Sequence, residues 1–411
     1  MFQRPRGTRD FLPDEMERRR WIEARMRECA RRWGYREVCT PAFEELELFT
    51  LRSGEAIIQE MYTFRDKGGR EMVLRPEVTA PVLRMFVNEG RNIPKPIRWF
   101  YFADCFRYER PQKGRYRQFW QFGVELIGAD SPRADAEVIA LAEAMLRGCG
   151  IDFEMQVGHL APVKHLLSGL PKEVAARVMQ LLDKREFPAL REYLEETGHP
   201  DLYDGLQGLT ECRSLQELFE IIGHIEEGEW IQRVCSELDT YGVDYCLNFG
   251  IARGLDYYTG TVFEAFAQNL GAENQVLGGG TYRLAHLFGG EDLPSCGFAI
   301  GFDRVMVSLG EFRVPRKPAV AVIGMPEVEE YAAAVAKGMR GAGISVVRDT
   351  MERSVGSQLS HAAKIAEYAI IVGRKECETN TVTFKNLFSG EQRTLTLQEA
   401  IGEVAAHGDR A

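Results

Sequence analysis

The sequence predicts an α+β protein of two domains, a larger one with an antiparallel sheet and a smaller α/β one. Its 411 residues exceed the length of one average domain. Aromatic-rich segments of strand character recur through the first three quarters of the chain, whereas strands and helices alternate regularly towards its end. Between the two patterns, residues 313–318 read Arg-Val-Pro-Arg-Lys-Pro, which is typical of a linker. We therefore expect domains at 1–315 and 316–411.

The larger domain is predicted to begin with a helix at residues 14–33, because Ile22, Met26 and Trp33 share one apolar stripe. Aromatic and β-branched runs, bounded by glycine- or proline-containing turns, predict its strands. These strands are expected at 35–40, 62–64, 70–74, 98–108, 118–127, 257–266 and from 295 onward. The second and third form a hairpin, and Thr79 is expected to be the N-cap of a helix.

The stretch after Gly128 is predicted to be helical and strongly charged as far as about residue 238. Within it, residues 160–238 carry 8 basic and 15 acidic residues. The smaller domain alternates between strand and helix, as α/β domains do. Its elements are expected as strands at 319–323, 344–347 and 368–372, helices at 327–341 and 355–367, a hairpin near 389–390 and a last short helix.

Composition excludes several classes of protein. The net charge of −10 does not suggest a nucleic-acid binder, yet residues 98–117 hold 6 basic and 2 acidic residues. This strip suits either phosphate contacts or a solvated loop. No apolar run approaches the roughly 18 residues of a membrane span, and the N-terminus lacks the apolar core of a secretory signal. Nine cysteines without a Cys-x-x-Cys pair argue against a zinc ribbon or disulfide framework and predict a reducing, cytoplasmic location.

Arginines on strands are the main chemical feature, because the phosphate-binding pattern Gly-x-x-x-x-Gly-Lys-Ser/Thr is absent from the sequence. Arg107 lies on one predicted strand. Gln121, Gly123 and Glu125 lie at spacing two on the partner strand, hence on one face. A guanidinium, an amide and a carboxylate beside a glycine suit an amino acid together with a nucleotide phosphate. A cross-strand Arg–Glu pair on a half-buried sheet fits the same spacing.

Three further segments combine glycines with polar or aromatic side chains. Glu77, where a strand meets a helix, could accept hydrogen bonds from a ligand ammonium. Residues 253–258 (Arg-Gly-Leu-Asp-Tyr-Tyr) supply an arginine and two tyrosines, and residues 277–282 (Leu-Gly-Gly-Gly-Thr-Tyr) form a glycine run unlike a core strand. Arg304 follows Gly301 by three residues on the predicted helix, so it lies beside the surface that Gly301 leaves open. A salt bridge of Arg304 with a neighbouring residue fits the same spacing.

The order of these motifs resembles the class II aminoacyl-tRNA synthetases and, among them, the histidyl-tRNA synthetase family. The resemblance includes the opening of the chain, the three motifs of the class and two signatures of the histidine enzymes. In this class the first motif builds the dimer interface. The segments that carry it are 7–13, 14–41, 106–119, 253–258, 277–282 and 297–304. The chain departs from the usual family pattern at Trp120, Thr281 and Arg283.

The resemblance implies a class II antiparallel-sheet catalytic domain with a helical insertion at about 160–238 and an anticodon-binding domain at 316–411. It implies a histidine–tRNA ligase, which makes histidyl-adenylate from ATP and then charges tRNA. ATP and Mg²⁺ would take part, although no Mg²⁺ ligand can be read from the sequence. The implied partners are histidine tRNA, L-histidine, ATP and a second copy of the chain, and no membrane.

The resemblance also implies roles for single residues. Arg107 and Arg253 would be catalytic and act at the α-phosphate of ATP. Arg304 would hold the triphosphate near its γ end, and Glu109 would also bind ATP. The residues implied in histidine binding are Glu77, Thr79, Gln121, Glu125, Tyr257, Tyr258 and Tyr282. The residues implied in contact with the acceptor end of tRNA are Lys113, Arg115 and Arg117.

Two other functions fit part of this pattern. A synthetase paralogue that regulates ATP phosphoribosyltransferase would generally lack the C-terminal domain and lose the ATP-binding arginines. Here residues 317–411 are present, as are Arg107, Arg253 and Arg304. A class II ligase for glycine, threonine or proline is the other alternative, and the signature at 253–258 argues against it.

Overall fold

The computed structural model describes residues 2–53, 55–109, 114–251, 258–270, 274–315 and 318–408. The chain divides into two compact units, residues 1–312 and 313–411. Each unit has a hydrophobic core of its own. The predicted fold class is confirmed, since the larger unit mixes helices with a mainly antiparallel sheet and the smaller one is α/β. No helix within the described ranges is long and apolar enough to cross a membrane.

The larger unit is organised around an eight-stranded sheet. The strands of the whole unit, which belong to this sheet and to a smaller one, are in chain order β1 Arg36–Glu37, β2 Phe43–Glu45, β3 Tyr62–Arg65, β4 Glu71–Leu74, β5 Ile97–Phe106, β6 Gln118–Ile127, β7 Phe153–His159, β8 Cys246–Leu247, β9 Tyr258–Ala267, β10 Gln275–Tyr282 and β11 Ser295–Gly301. The large sheet has the order β1-β5-β6-β11-β10-β9-β7-β8. Its six central strands pair antiparallel, whereas β1 and β8 add to its edges in parallel. Strands β2, β4 and β3 form a separate small antiparallel sheet.

Helices of the larger unit cover the sheet and form the insertion. They are α1 Pro13–Arg32, α2 Glu47–Ser53, α3 Thr79–Met85, α4 Pro132–Gly148, α5 Leu160–Leu166, α6 Lys172–Asp183, α7 Phe187–Glu196, α8 Leu202–Glu211, α9 Leu215–Ile222, α10 Gly228–Tyr241 and α11 Phe302–Leu309. Short 3-10 or π turns lie at Glu55–Glu60, Phe86–Gly90, Gln268–Leu270 and Ala285–Phe288. Helices α5 to α10 bury a separate apolar cluster that includes Val178, Leu190 and Leu206. These six helices occupy the region where the insertion was expected.

Strand β6 has an apolar face and a polar face. Its residues Phe122 and Val124 point into the main core, where Ile22 and Met26 of α1 also lie. Because side chains alternate along a strand, Gln121, Gly123 and Glu125 face the opposite side. The apolar stripe of α1 is thus buried within its own chain.

Several sequence-based expectations for the larger unit were wrong in detail. The strand expected at 35–40 is reduced to Arg36 and Glu37, with one further backbone hydrogen bond from Val38 N–H to the Phe100 carbonyl of β5, and residues 38–41 have no strand structure. The stretch after Gly128 is not wholly helical, because Phe153–His159 forms β7 and pairs with β9. Its alternating Phe153, Met155 and Val157 are a strand signal, but the charged helical segments on both sides obscured it.

The smaller unit is a five-stranded sheet with helices. Its elements are β12 Ala319–Gly324, a 3-10 turn Pro326–Val328, α12 Glu329–Gly341, β13 Ser345–Arg348, α13 Val355–Ala362, β14 Tyr368–Val372, α14 Arg374–Thr379, β15 Val382–Asn386, β16 Gln392–Leu395 and α15 Leu397–Gly408. The order is β13-β12-β14-β15-β16, with the first three strands parallel. Helix α13 is shorter than the predicted 355–367, and α14 was not predicted.

Candidate active site

A cavity of about 300 Å³ lies against the polar face of the large sheet. It brings together residues that the sequence separates by more than 200 positions. Those of the predicted site residues that line it are Glu77, Thr79, Arg107, Glu109, Arg115, Gln121, Glu125, Tyr258, Tyr282 and Arg304. Arg253, Tyr257 and Lys113 lie outside the described residues.

The carboxylate of Glu125 lines this cavity with only 1% of the residue exposed. Its Oε1 accepts hydrogen bonds from the hydroxyls of Thr79, at 2.8 Å, and Tyr101, at 3.5 Å, and its Oε2 accepts one from Tyr282. Burial raises the pKa of Glu125 to about 8, although these donors act in the opposite direction. Glu125 therefore holds a proton readily when no cation is beside it.

Glycines make room for this carboxylate and for the rings around it. A Cβ built on Gly297 of β11 would stand 2.1 Å from Glu125 Oε2, and one on Gly123 would stand 2.0 Å from Tyr101 Cζ. On β10, a Cβ on Gly280 would stand 2.6 Å from Tyr258 Cδ1. The expectation that the glycine run is unlike a core strand was therefore wrong, since β10 lies buried in the middle of the sheet.

Glu77, rather than Thr79, caps α3. Its carboxylate accepts hydrogen bonds from the backbone N–H groups of Thr79, at 2.6 Å, and Ala80, at 3.0 Å. Thr79 is instead the first helical residue, and its hydroxyl is committed to Glu125. Burial raises the pKa of Glu77, while the two N–H groups favour its charged form. The predicted N-cap was wrong because the helix begins at Thr79 itself, and a carboxylate two residues earlier accepts from the first amides of the helix.

Gln121 is oriented by a cysteine that sequence reasoning did not single out. The Cys105 thiol lies 3.3 Å from Gln121 Oε1, and the residue is fully buried. Burial raises the pKa of the Cys105 thiol, so it stays protonated and donates to that oxygen. Gln121 itself lines the cavity, so its Nε2 can serve as a donor there.

Three arginines also line the cavity. Arg107 follows β5 and donates from Nε to the Pro76 carbonyl at 2.9 Å. Glu109 lies between two of the guanidinium groups, with Oε1 3.8 Å from Arg107 and Oε2 2.9 Å from Arg115. Arg304 donates to the Gln275 carbonyl at 2.7 Å. Their charges suit an anion with several oxygens, such as a triphosphate.

Arg117 has a different place from its neighbour Arg115. Its guanidinium carbon lies 4.1 Å from the centre of the Tyr108 ring, and its Nε donates to the Glu109 carbonyl at 3.2 Å. It does not line the cavity. Asp303, which does, was not predicted as a site residue, although it adjoins Arg304 in the same motif.

Comparison with known proteins identifies the architecture. The family model for Histidyl-tRNA synthetase matches residues 7–305, which is more than half of the chain. The chain belongs to the histidyl-tRNA synthetase family. A second model, for the anticodon binding domain, matches residues 317–407. The predicted family is thereby confirmed.

Named relatives of this family cover the whole chain. A protein of Methanoculleus marisnigri named histidine–tRNA ligase is 62% identical over 408 residues, which are 99% of this chain and 100% of the relative. The structure of apo histidyl-tRNA synthetase from S. aureus has 27% identity and a TM-score of 0.74, covering 98% of this chain and 100% of that one. A Bacillus halodurans structure described as an ATP phosphoribosyltransferase regulatory subunit/histidyl-tRNA synthetase has 26% identity and a TM-score of 0.76, covering 88% and 96%.

The three departures from the family pattern each have a local structural partner. The backbone N–H of Trp120 donates to Asp303 Oδ2 at 2.7 Å. The Thr281 hydroxyl donates to the buried Asp135 at 2.8 Å. Arg283 makes a 2.8 Å ion pair with Asp130. Of the three, only Trp120 lines the cavity.

Proposed function

We propose that this chain activates L-histidine with ATP to form histidyl-adenylate and pyrophosphate, then transfers histidine to the 3′ end of histidine tRNA, releasing AMP. The observation that carries this proposal is the buried Glu125 carboxylate, held by Thr79 and Tyr282, in one cavity with Arg107 and Arg304. The cavity therefore combines carboxylates suited to a cation with arginines suited to a polyanion. Full-length relatives named histidine–tRNA ligase support it.

Histidine would lie at the end of the cavity formed by Glu125, Glu77, Gln121 and the tyrosines. Carboxylates suit the ammonium group and an imidazole N–H, while the Gln121 amide offers a donor to the substrate carboxylate. Tyr258 and Tyr282, whose rings meet edge to face with centres 6.4 Å apart, would line the imidazole pocket. Tyr257 is proposed from the family resemblance alone. Two distinct ring nitrogens allow a polar pocket to reject near-isosteres of histidine.

ATP would lie along the arginines. When the histidine carboxylate attacks the α-phosphate, two anions approach and charge spreads over the phosphoryl oxygens. Arg107 and, from the family resemblance, Arg253 would stabilise that charge, while Arg304 would hold the γ end. No proton acceptor is required in this step. The rest of the rate enhancement comes from holding the two reactants in place.

Mg²⁺ fits this arrangement as a companion of the phosphates. Within the described ranges, no group of three or more His, Cys, Asp or Glu side chains could hold a metal by itself. Mg²⁺ commonly uses one or two carboxylates together with substrate phosphates. Glu109 and Glu264, which both line the cavity, would supply those oxygens. The ion, when bound, neutralises charge on the β- and γ-phosphates.

Transfer RNA would contact both units. Residues 316–411 are proposed to bind the anticodon, whose unpaired bases can be read by stacking and hydrogen bonds. Lys113, Arg115 and Arg117 are proposed to approach the acceptor end. This activity would take place in the cytoplasm, in keeping with nine cysteines that lack a Cys-x-x-Cys pair.

We also propose a two-fold homodimer. The resemblance implied a dimer interface at residues 14–41, but the apolar stripe of α1 packs inside the same chain. Phe43 and Phe64, by contrast, are 52% and 42% exposed and lie with ring centres 6.3 Å apart on the small sheet. A self-complementary partner would cover this apolar pair. A monomer in sedimentation at micromolar concentration would contradict the dimer.

The regulatory paralogue is not favoured, because Arg107 and Arg304 line the cavity and the full-length relatives are named as ligases. ATP–pyrophosphate exchange with each of the twenty amino acids tests the proposal. Histidine alone should support exchange. Folded protein that shows no exchange with histidine would point to the paralogue, and strong exchange with glycine or proline would overturn the assignment.

A further inference from the structure

Residues 7–11, the segment before α1, form an N-terminal strap that contacts residues beside the active site. Its Arg9 donates from Nη2 to Asp303 Oδ1 at 2.5 Å, and the Arg9 guanidinium carbon lies 3.8 Å from the centre of the Tyr116 ring. A weaker ion pair, at 3.7 Å, joins Arg9 to Glu15. Arg9 does not line the cavity. It therefore reaches the site only through other residues.

Asp303 connects the strap to the arginine proposed to bind ATP. It is 2% exposed, and besides Arg9 it accepts hydrogen bonds from Arg19, at 2.7 Å, and from the Trp120 backbone, at 2.7 Å. Its neighbour in the chain is Arg304, in the first turn of α11. Arg19 alone would balance the charge of the buried carboxylate. The second guanidinium therefore does more than neutralise it.

The strap also holds the segment that leads into β6. The Arg117 backbone N–H donates to the Gly7 carbonyl at 2.9 Å. Gly7 has φ +83°, and a Cβ there would stand 2.7 Å from Arg117 Cγ, so only glycine allows this approach. Tyr116, on which Arg9 stacks, adjoins Arg115 of the cavity wall.

We propose that Arg9 is a positioning residue for ATP. A planar guanidinium that stacks on Tyr116 and pairs with Asp303 ties the segment carrying Arg115 to the helix carrying Arg304. Arg304 then keeps a fixed place along the triphosphate, and Arg115 keeps Glu109 in place beside it, so that less ordering is required when ATP binds. The histidine end of the cavity, formed by Glu125 and Gln121, has no contact with Arg9 among the bonds and ring contacts of the described chain. This inference rests on the proposed function.

The test uses the full-length protein and histidine-dependent ATP–pyrophosphate exchange. Arg9→Ala should raise the KM for ATP by about tenfold or more, while the KM for histidine stays within about twofold of the parent. Arg9→Lys keeps the charge but loses the flat stacking surface, so its KM for ATP should be intermediate. Arg4→Ala is the matched control, because Arg4 lies nearby in sequence and, among the described residues, forms an ion pair only with the exposed Asp10, at 3.8 Å. It should behave as the parent.

The competing explanation is that Arg9 merely secures the fold. It predicts a lower unfolding temperature and equal losses for ATP and histidine, and that result would overturn the proposal, as would an unchanged KM for ATP. Should Arg9→Ala fail to fold, the ratio of the two KM values in Arg9→Lys decides in the same way. A parent that exchanges with another amino acid would overturn the histidine assignment. It would leave the Arg9 proposal to be judged by the KM for ATP.

Discussion

Gly297 lies so close to Glu125 that a methyl group on its Cα would stand 2.1 Å from the carboxylate Oε2. The same methyl would meet the Val124 carbonyl at 2.5 Å. The glycine of β11 thus keeps the space that the buried carboxylate occupies. Neither the backbone of β6 nor the hydrogen-bonded Glu125 side chain is free to move aside without loss.

Gly297→Ala should therefore weaken histidine binding. A displaced Glu125 would lose a charged hydrogen bond to histidine, worth about 1.5–3 kcal/mol, so the affinity for histidine should fall by about tenfold to a hundredfold. Calorimetric titration with histidine measures it. Gly148→Ala is the control, since a Cβ there meets nothing within 4 Å. Parent-like histidine affinity in Gly297→Ala would mean that Glu125 is not part of the binding site.

The raised pKa of Glu125 predicts a pH dependence of stability. Burial lifts it from an ordinary 4.5 to about 8, so the folded protein holds the proton more tightly than the unfolded chain. The contribution is fully present below about pH 4.5 and is lost as pH rises through about 8. Glu125→Gln should remove this slope. The unfolding temperature of the variant should therefore rise relative to that of the parent as the pH is raised from 5 to 8. Thermal unfolding without ligands measures it, and a constant difference across that range would contradict the raised pKa.

Cys105→Ala should impair histidine binding without affecting ATP. The variant loses the donor that orients the Gln121 amide, and one neutral hydrogen bond contributes about 0.5–1.5 kcal/mol. The KM for histidine should therefore rise by about twofold to tenfold. Cys105→Ser keeps a donor and should recover most of the loss, whereas the exposed Cys39 serves as the control for alanine substitution. Equal KM values in Cys105→Ala and the parent would show that Gln121 needs no such support.

Arg107→Ala should depress the rate of adenylate formation. Removing one preorganised donor to developing charge typically costs about 10²–10³ in rate. Arg65→Ala is the control, because Arg65 forms an exposed ion pair with Glu71 and lies outside the cavity. Single-turnover activation within about twofold of the parent would reject a catalytic role for Arg107.

Removal of residues beyond Pro315 should separate the two activities. The cavity residues all belong to the larger unit, whose core is its own. Histidine-dependent exchange should survive at least in part, while charging of tRNA should fall strongly. Exchange, charging and oligomeric state should be measured on one preparation. An intact dimer with unchanged charging kinetics would refute the tRNA-binding role of residues 316–411.

Local patterns in the sequence were sufficient for much of the fold and for the family. The strands at 98–108 and 118–127 are found at Ile97–Phe106 and Gln118–Ile127, because aromatic and β-branched runs bounded by turns are a short-range signal. The spacing of Gln121 and Glu125 likewise placed both on one face. The order of the motifs indicated the histidyl-tRNA synthetase family, which the comparisons confirm.

Only the tertiary structure decided which partners these residues have. The Arg9–Asp303 contact joins positions 294 residues apart, and the Thr79–Glu125 bond joins positions 46 apart. A sequence pattern states which face a side chain occupies but not what lies opposite. For the same reason the glycine run of β10 was misread: its glycines are required by the rings and carbonyls of neighbouring strands, which the pattern of one strand does not contain.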